Sequence, residues 1–293
     1  MAEEVERVRI VVLCDDRVGV YRIPVLAEHG LCLYLEVEWS GNTCALIFDT
    51  GKTGKVLLEN ARSLGVDLSR ADLVVLSHNH YDHTGGLAEI AKELAPSFSV
   101  IAHPEILSRS LHMDPSLRYV GVPVECRRIL EERLIPLSEH AEISPGIIFL
   151  GEIPRRHGEE RVEGFYKVEG GRVVEYGLED DTGLAIRVRR GGVLVITGCS
   201  HSGVVNIVEH ALEVSGSEKL LGVVGGFHLM GASRERILWT AEKLRELRPS
   251  MIAPLHCTGI EAEAALLSAM PDSYVFLGAG SELVIEEGAI RTS

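Results

Sequence analysis

The chain has no apolar run approaching the ~20 residues that a bilayer-spanning helix needs, and its six cysteines include no CxxC pair. Cys14, Cys32, Cys44, Cys126, Cys199 and Cys257 are scattered too widely to read as a disulfide framework, which points to a reducing compartment. Basic residues are in deficit, 29 against 43 acidic ones, for a net charge of −14. That balance argues against general affinity for nucleic acid or anionic lipid, although it leaves room for a phosphorylated small molecule at a locally cationic site. Aromatics make up only 5%. The opening Met1-Ala2-Glu3-Glu4-Val5-Glu6 is acidic where a secretory leader would be basic. The expectation is a cytoplasmic protein without a membrane partner, free to form homo-oligomers. The 293 residues are 46% hydrophobic and 25% charged, an ordinary globular composition.

What the chain does have is Ser77-His78-Asn79-His80-Tyr81-Asp82-His83-Thr84-Gly85-Gly86, three histidines and an aspartate within six positions, directly after the apolar run 73–76. Side chains two apart in an extended segment point the same way, so His78 and His80 can converge on one metal ion. Asp82 and His83 turn back in the following bend and can serve a neighbouring ion. Imidazoles with one carboxylate suit one or two divalent ions, zinc first and Mn, Fe or Mg as alternatives.

Alternating apolar residues predict strands at 8–13, 31–39 and 44–48, and helical spacing predicts a helix at 55–64 ended by Gly65. A helix with Leu87, Ile90, Ala91 and Leu94 on its buried face is expected to open at Thr84 or Gly85. The stretch 109–171, interrupted by Pro115, Pro123, Pro136, Pro145 and Pro154, reads as an insertion of irregular hairpins and loops lying over a pocket, not as an independent core. Strands are expected again at 184–188, 193–197, 220–224 and 251–253. Three of these lead to histidine-bearing loops and then helices: Gly198-Cys199-Ser200-His201, Gly225-Gly226-Phe227-His228, and Pro254-Leu255-His256-Cys257-Thr258-Gly259. Loops at the carboxyl ends of strands are where α/β sheets build sites, so His201 and His256 become candidate ligands.

Other residues carry two readings each. Cys199 is a thiolate ligand, a bystander, or the occupant of a bridging position. Asp49, in Phe48-Asp49-Thr50-Gly51, orients a ligand histidine or forms a turn. Asp180 and Asp181 hold a substrate edge or a metal, or are solvated. Arg155 and Arg156 recognise phosphate or form a surface charge cluster beside Glu152. His228 reads as a pocket residue touching substrate. The remaining histidines, His29 and His112 among them, read as structural or surface residues.

The His78-x-His80-x-Asp82-His83 motif, with Phe48-Asp49-Thr50-Gly51 upstream and histidines downstream, resembles the metallo-β-lactamase superfamily. That resemblance implies a single domain spanning 1–293, a four-layer αββα sandwich of the α/β (α+β) class with metals at an edge between two sheets. The motifs around His78, His201, His228 and His256 are similar to a narrower subgroup, the 7,8-dihydropterin-6-methyl-4-(β-D-ribofuranosyl)aminobenzene-5′-phosphate synthases. Membership there implies a transferase coupling a dihydropterin methyl diphosphate to an arylamine ribose phosphate, with Asp82 and His228 at the reaction. Thr197-Gly198-Cys199 stands where the superfamily's hydrolases usually carry Thr-Gly-Asp. The alternative reading is a metal-dependent hydrolase of phosphodiesters or other esters.

Overall fold

In the strand Arg7–Cys14, Val8, Ile10 and Val12 face one apolar core while Val11 and Leu13 face another. The next strand, Cys32–Trp39, divides the same way: Leu33, Leu35 and Val37 on one side, Cys32 and Tyr34 on the other. A strand whose side chains alternate between two apolar environments must be covered on both faces. The computed structural model, which describes residues 3–20 and 23–293, shows what covers them.

An eight-stranded sheet runs in the order Ala289–Thr292, Glu282–Glu286, Arg7–Cys14, Cys32–Trp39, Asn42–Phe48, Ala71–Val75, Ser99–Ala102, Leu134–Pro136. A six-stranded sheet faces it in the order Met251–Leu255, Leu220–Gly226, Gly192–Thr197, Gly183–Val188, Ile147–Phe149, Ala141–Ser144. The central core lies between the sheets, with Ile10, Leu33 and Phe48 from the first meeting Leu184, Ile196 and Val224 from the second. Outside the first sheet, helices Lys55–Leu64 and Val124–Arg133 contribute Leu57, Ala61, Cys126 and Leu130 to a second core. Outside the other, helices Val204–Ser215, Arg234–Glu246 and Ile260–Ala269 supply Ile207, Val208, Ile237, Leu244 and Leu266 to a third. Three cores separate four layers, the expected αββα sandwich. Among the described residues no helix is long and apolar enough to cross a membrane.

Two expectations are corrected. The helix anticipated from residue 84 or 85 is instead two single turns, Tyr81–Thr84 and Leu87–Ile90, so Asp82 and His83 lie within helical backbone. The break falls at Gly85-Gly86, which is pressed onto the loop after strand Asn42–Phe48. A Cβ at Gly85 would lie 2.1 Å from the Lys52 carbonyl oxygen, and one at Gly86 would lie 2.0 Å from that of Thr50. The glycine pair is a packing requirement that brings the histidine loop against Asp49.

The hairpins anticipated within 109–171 are there, but they are regular members of sheets. Ser110–Met113, Leu117–Tyr119 and Phe165–Glu169 join Arg172–Glu175 in a small third sheet, and Leu134–Pro136 and Ile147–Phe149 extend the two large ones. Four of its five prolines sit at element ends or in tight turns, Pro154 alone lying in a loop: Pro115 lies between Ser110–Met113 and Leu117–Tyr119, Pro123 caps the helix Val124–Arg133, Pro136 ends an edge strand, and Pro145 lies in the turn between Ala141–Ser144 and Ile147–Phe149. Proline removes a donor without ending a fold, so terminal positions tolerate it.

Candidate metal centre

Four strand ends deliver the site. Ala71–Val75 leads into the loop of His78, Gly192–Thr197 into Cys199 and His201, Leu220–Gly226 into His228, and Met251–Leu255 into His256. The backbone at Asp49, Ser200, His228 and His256 has positive φ, between 47° and 64°. Non-glycine residues adopt that region at a cost, and such strain gathers at functional sites.

The first cluster is three imidazoles. His80 Nδ1 lies 3.1 Å from His78 Nε2 and 3.1 Å from His201 Nε2. Tetrahedral nitrogen ligands at about 2.1 Å from a zinc ion stand roughly 3.4 Å apart, so the spacing fits a common cation. Burial holds His78 and His201 well below the ordinary histidine range and His80 down to about 3, leaving all three rings neutral with lone pairs to offer. Ser77 Oγ holds His78 Nδ1 at 2.9 Å, turning Nε2 inward.

The second cluster adjoins it. His83 Nε2 is 3.2 Å from His256 Nε2 and 3.1 Å from Cys199 Sγ, while Asp82 Oδ2 is 3.4 Å from His256 Nε2 and 3.9 Å from His83 Nε2. Burial pushes the Asp82 carboxyl up, but His256 and His83 outweigh it and hold the group well below its usual range. Each ring is fixed from behind. Asp49 Oδ2 accepts from His83 Nδ1 at 2.6 Å and from Ser77 Oγ at 2.7 Å, and Asp16 Oδ1 accepts from His256 Nδ1 at 2.5 Å. A carboxylate on Nδ1 sets the tautomer that offers Nε2 to a metal. For His256, burial opposes charge, yet Cys257, Asp16 and Asp82 together raise the ring well above the ordinary value. Cys199 Sγ belongs to both groups, with His78 and His201 on one side and His83 and His256 on the other. It stands where one ligand could bridge two ions, and burial keeps its thiol pKa high in the absence of such a charge.

Several anticipated residues lie elsewhere. Asp180 and Asp181 do not line the cleft; both are buried and bonded to the loops behind it. Asp180 accepts from the Asn79 amide at 2.7 Å and the Tyr176 hydroxyl at 2.5 Å, and Asp181 accepts from the Ser202 amide at 2.8 Å. They hold the loops that carry His78, His80 and His201, which their place before a strand did not reveal. The Arg155 guanidinium is committed to the carbonyls of His201, Leu178 and Gly177 and lines a cavity beside the metal cleft. Arg156 pairs with Glu213 and Glu209 on the surface, and Glu152 is exposed. Neither reaches the metal cleft.

Other residues enter instead. His29, read as a surface residue, places Nε2 3.3 Å from Asp82 Oδ2 and Nδ1 2.8 Å from Asp16 Oδ2. Asp16 follows strand Arg7–Cys14 in Asp15-Asp16-Arg17, the same strand-then-polar-loop signal that exposed the other loops. The metal cleft, about 630 Å³, is also lined by His112, Arg118, Arg161, Phe165, Arg236 and Cys257. Phe165 stacks on His80 with ring centroids 5.1 Å apart. A second cavity of about 520 Å³ shares the wall formed by Arg161, Val162, Glu163 and Phe165.

The model of the metallo-beta-lactamase superfamily matches residues 27–256. The chain is 35% identical over 94% of its length, and 96% of the relative's, to the 7,8-dihydropterin-6-methyl-4-(beta-D-ribofuranosyl)-aminobenzene-5′-phosphate synthase of Methanocaldococcus jannaschii. An uncharacterised protein of the same organism is 33% identical over 80% of this chain and 86% of its own. A crystal structure described as a metal-dependent hydrolase of the beta-lactamase superfamily superposes with a TM-score of 0.81 at 31% identity, covering 95% of this chain and 99% of that one. With two imidazole clusters at the edge between its sheets, the chain belongs to the metallo-beta-lactamase superfamily.

Proposed function

We propose that this chain is a metal-dependent transferase that joins a dihydropterin methyl diphosphate to 4-(β-D-ribofuranosyl)aminobenzene 5′-phosphate and releases pyrophosphate. The observation that carries this reading is the 35% identity, over nearly the whole of both chains, to a synthase of that name. Two adjoining cavities of about 630 and 520 Å³ suit a reaction between two organic substrates better than one whose second reactant is water.

His78, His80 and His201 would hold one divalent ion, and Asp82, His83 and His256 a second, with Cys199 between them. A bound ion supplies positive charge against the negative charge that develops on departing pyrophosphate. The residues around it do the rest. His228 lines the cleft, its ring centroid 4.2 Å from that of His201. As the aryl nitrogen forms its bond to the pterin methylene carbon, the carbon–oxygen bond to diphosphate breaks and His228 takes the proton shed by nitrogen. Phe165 provides a flat apolar wall for an aromatic ring between the cavities, and much of the rate comes from holding nitrogen and carbon in contact. Asp82 is held by His29 and His256 and serves the metal cluster.

Hydrolysis of phosphodiesters or other esters is the second reading, favoured by the 31% identical structure described as a metal-dependent hydrolase. The two are separated by mixing metal-loaded protein with each substrate alone and with both. The transferase predicts pyrophosphate release only when pterin diphosphate and arylamine are both present. Turnover of bis-p-nitrophenyl phosphate without any coupled reaction would sink it and leave the hydrolase.

A further inference from the structure

Three guanidinium groups from three different elements line the metal cleft of a chain whose net charge is −14. Arg236 comes from the first turn of helix Arg234–Glu246, Arg118 from strand Leu117–Tyr119, and Arg161 from the segment after the short turn Gly158–Glu160. Most arginines of this protein are spent on carboxylates or carbonyls. Among the described residues the side chains of Arg236 and Arg118 make neither an ion pair within 4.0 Å nor a hydrogen bond, and the Nε of Arg236 is buried without a partner. Arg161 has one long contact to Glu163, at 3.7 Å on the exposed rim.

A half-buried guanidinium without a counter-ion is costly unless something else satisfies it. Burial lowers the Arg236 pKa, with Glu160 and Cys257 the charges acting against that shift, and neither touches the guanidinium. The guanidinium fork matches the geometry of phosphate oxygens and can donate two parallel bonds to them. The arginines expected from sequence to do this, Arg155 and Arg156, already have partners within the protein.

We infer that Arg236, assisted by Arg118 and Arg161, forms the anion subsite of the metal cleft and grips the diphosphate of the substrate, with Arg236 setting specificity for it. Pyrophosphate as the departing group comes from the proposed function, and the assignment rests on that reading. The chemistry required is a pair of anionic oxygens for the fork, and three guanidiniums around one cleft match the several charges of a diphosphate, whereas a neutral ester would leave Arg236 unpaired.

The test is binding of inorganic pyrophosphate to the metal-loaded protein, followed by calorimetry with metal content checked in every sample. R236Q should weaken binding roughly ten- to hundredfold, the loss of a charge-assisted bidentate contact. R236K, which keeps the charge and loses the fork, should fall between R236Q and wild type. R161Q, in an exposed segment where folding is not at stake, should weaken binding roughly threefold or more. R128Q, whose exposed side chain pairs with Glu132 at 3.1 Å, should leave binding unchanged. Pyrophosphate affinity equal to wild type in both R236Q and R161Q, or no measurable binding by wild type, overturns the subsite. Loss of binding in R236Q together with no coupling of pterin diphosphate and arylamine would retain the subsite and reject the pterin reaction, so the two failures are told apart.

Discussion

Asp49 shows how one side chain can set the chemistry of another. Its carboxylate is fully buried, accepts from the Ser77 amide and hydroxyl, and meets His83 Nδ1 at 2.6 Å. An acceptor at Nδ1 forces the proton there and frees the lone pair on Nε2 for the cluster. Asp49→Asn can turn its amide so that NH₂ faces the ring, which favours the wrong tautomer. Metal retained against graded chelator should fall roughly tenfold to a hundredfold in this variant while the fold persists. Retention equal to wild type would make Asp49 a turn former and nothing more. His29 teaches the converse. Nothing in Glu28-His29-Gly30 announces a site, yet the ring reaches Asp82 and Asp16 because the chain folds the segment back over the cluster.

At the scale of elements, the helix Val204–Ser215 shows how the ligand loops are anchored. Gly203 gives no side-chain cap, and Glu160 supplies one from a distant turn, accepting from the amides of Val205 at 2.9 Å and Asn206 at 2.8 Å. Burial raises Glu160 from an ordinary 4.5 to about 7 despite those two amides. The folded chain therefore holds this proton more tightly than the unfolded chain does. Stability from this group is complete below about pH 4.5 and is lost as pH climbs through about 7. Glu160→Gln removes the titration. Between about pH 5 and about pH 8 the stability of wild type relative to E160Q should drop by on the order of 3 kcal/mol, read from denaturant midpoints of both proteins. A difference that does not change with pH would show that the helix amides, not burial, govern the carboxyl.

For the whole molecule, the two clusters are a bridge between sheets. His78, His80, Asp82 and His83 come from the loop after a strand of the eight-stranded sheet, whereas Cys199, His201 and His256 come from strands of the six-stranded one. A cation held by both would bind the folded chain and not the unfolded one, so it stabilises by mass action. Chelation with verified metal removal should lower the thermal midpoint by on the order of 10 °C, and adding back the metal should restore it. An unchanged midpoint would mean that the sandwich carries its own stability and that the clusters do not tie the layers together. Much of this architecture is legible in the amino-acid order. Short apolar runs marked the strands, and His-x-His-x-Asp-His marked the loop at which the imidazoles gather, because those signals are local and set by backbone geometry. The turn-rich stretch 109–171 was legible as hairpins but not as members of sheets, since prolines at element ends look like prolines in loops. Which arginines face the cleft, that Asp16 stands behind His256, and where Phe165 lies were decided only by the packing of sheet on sheet. Those contacts join residues tens to hundreds of positions apart, and no local pattern encodes a distance that the closing of the sandwich creates.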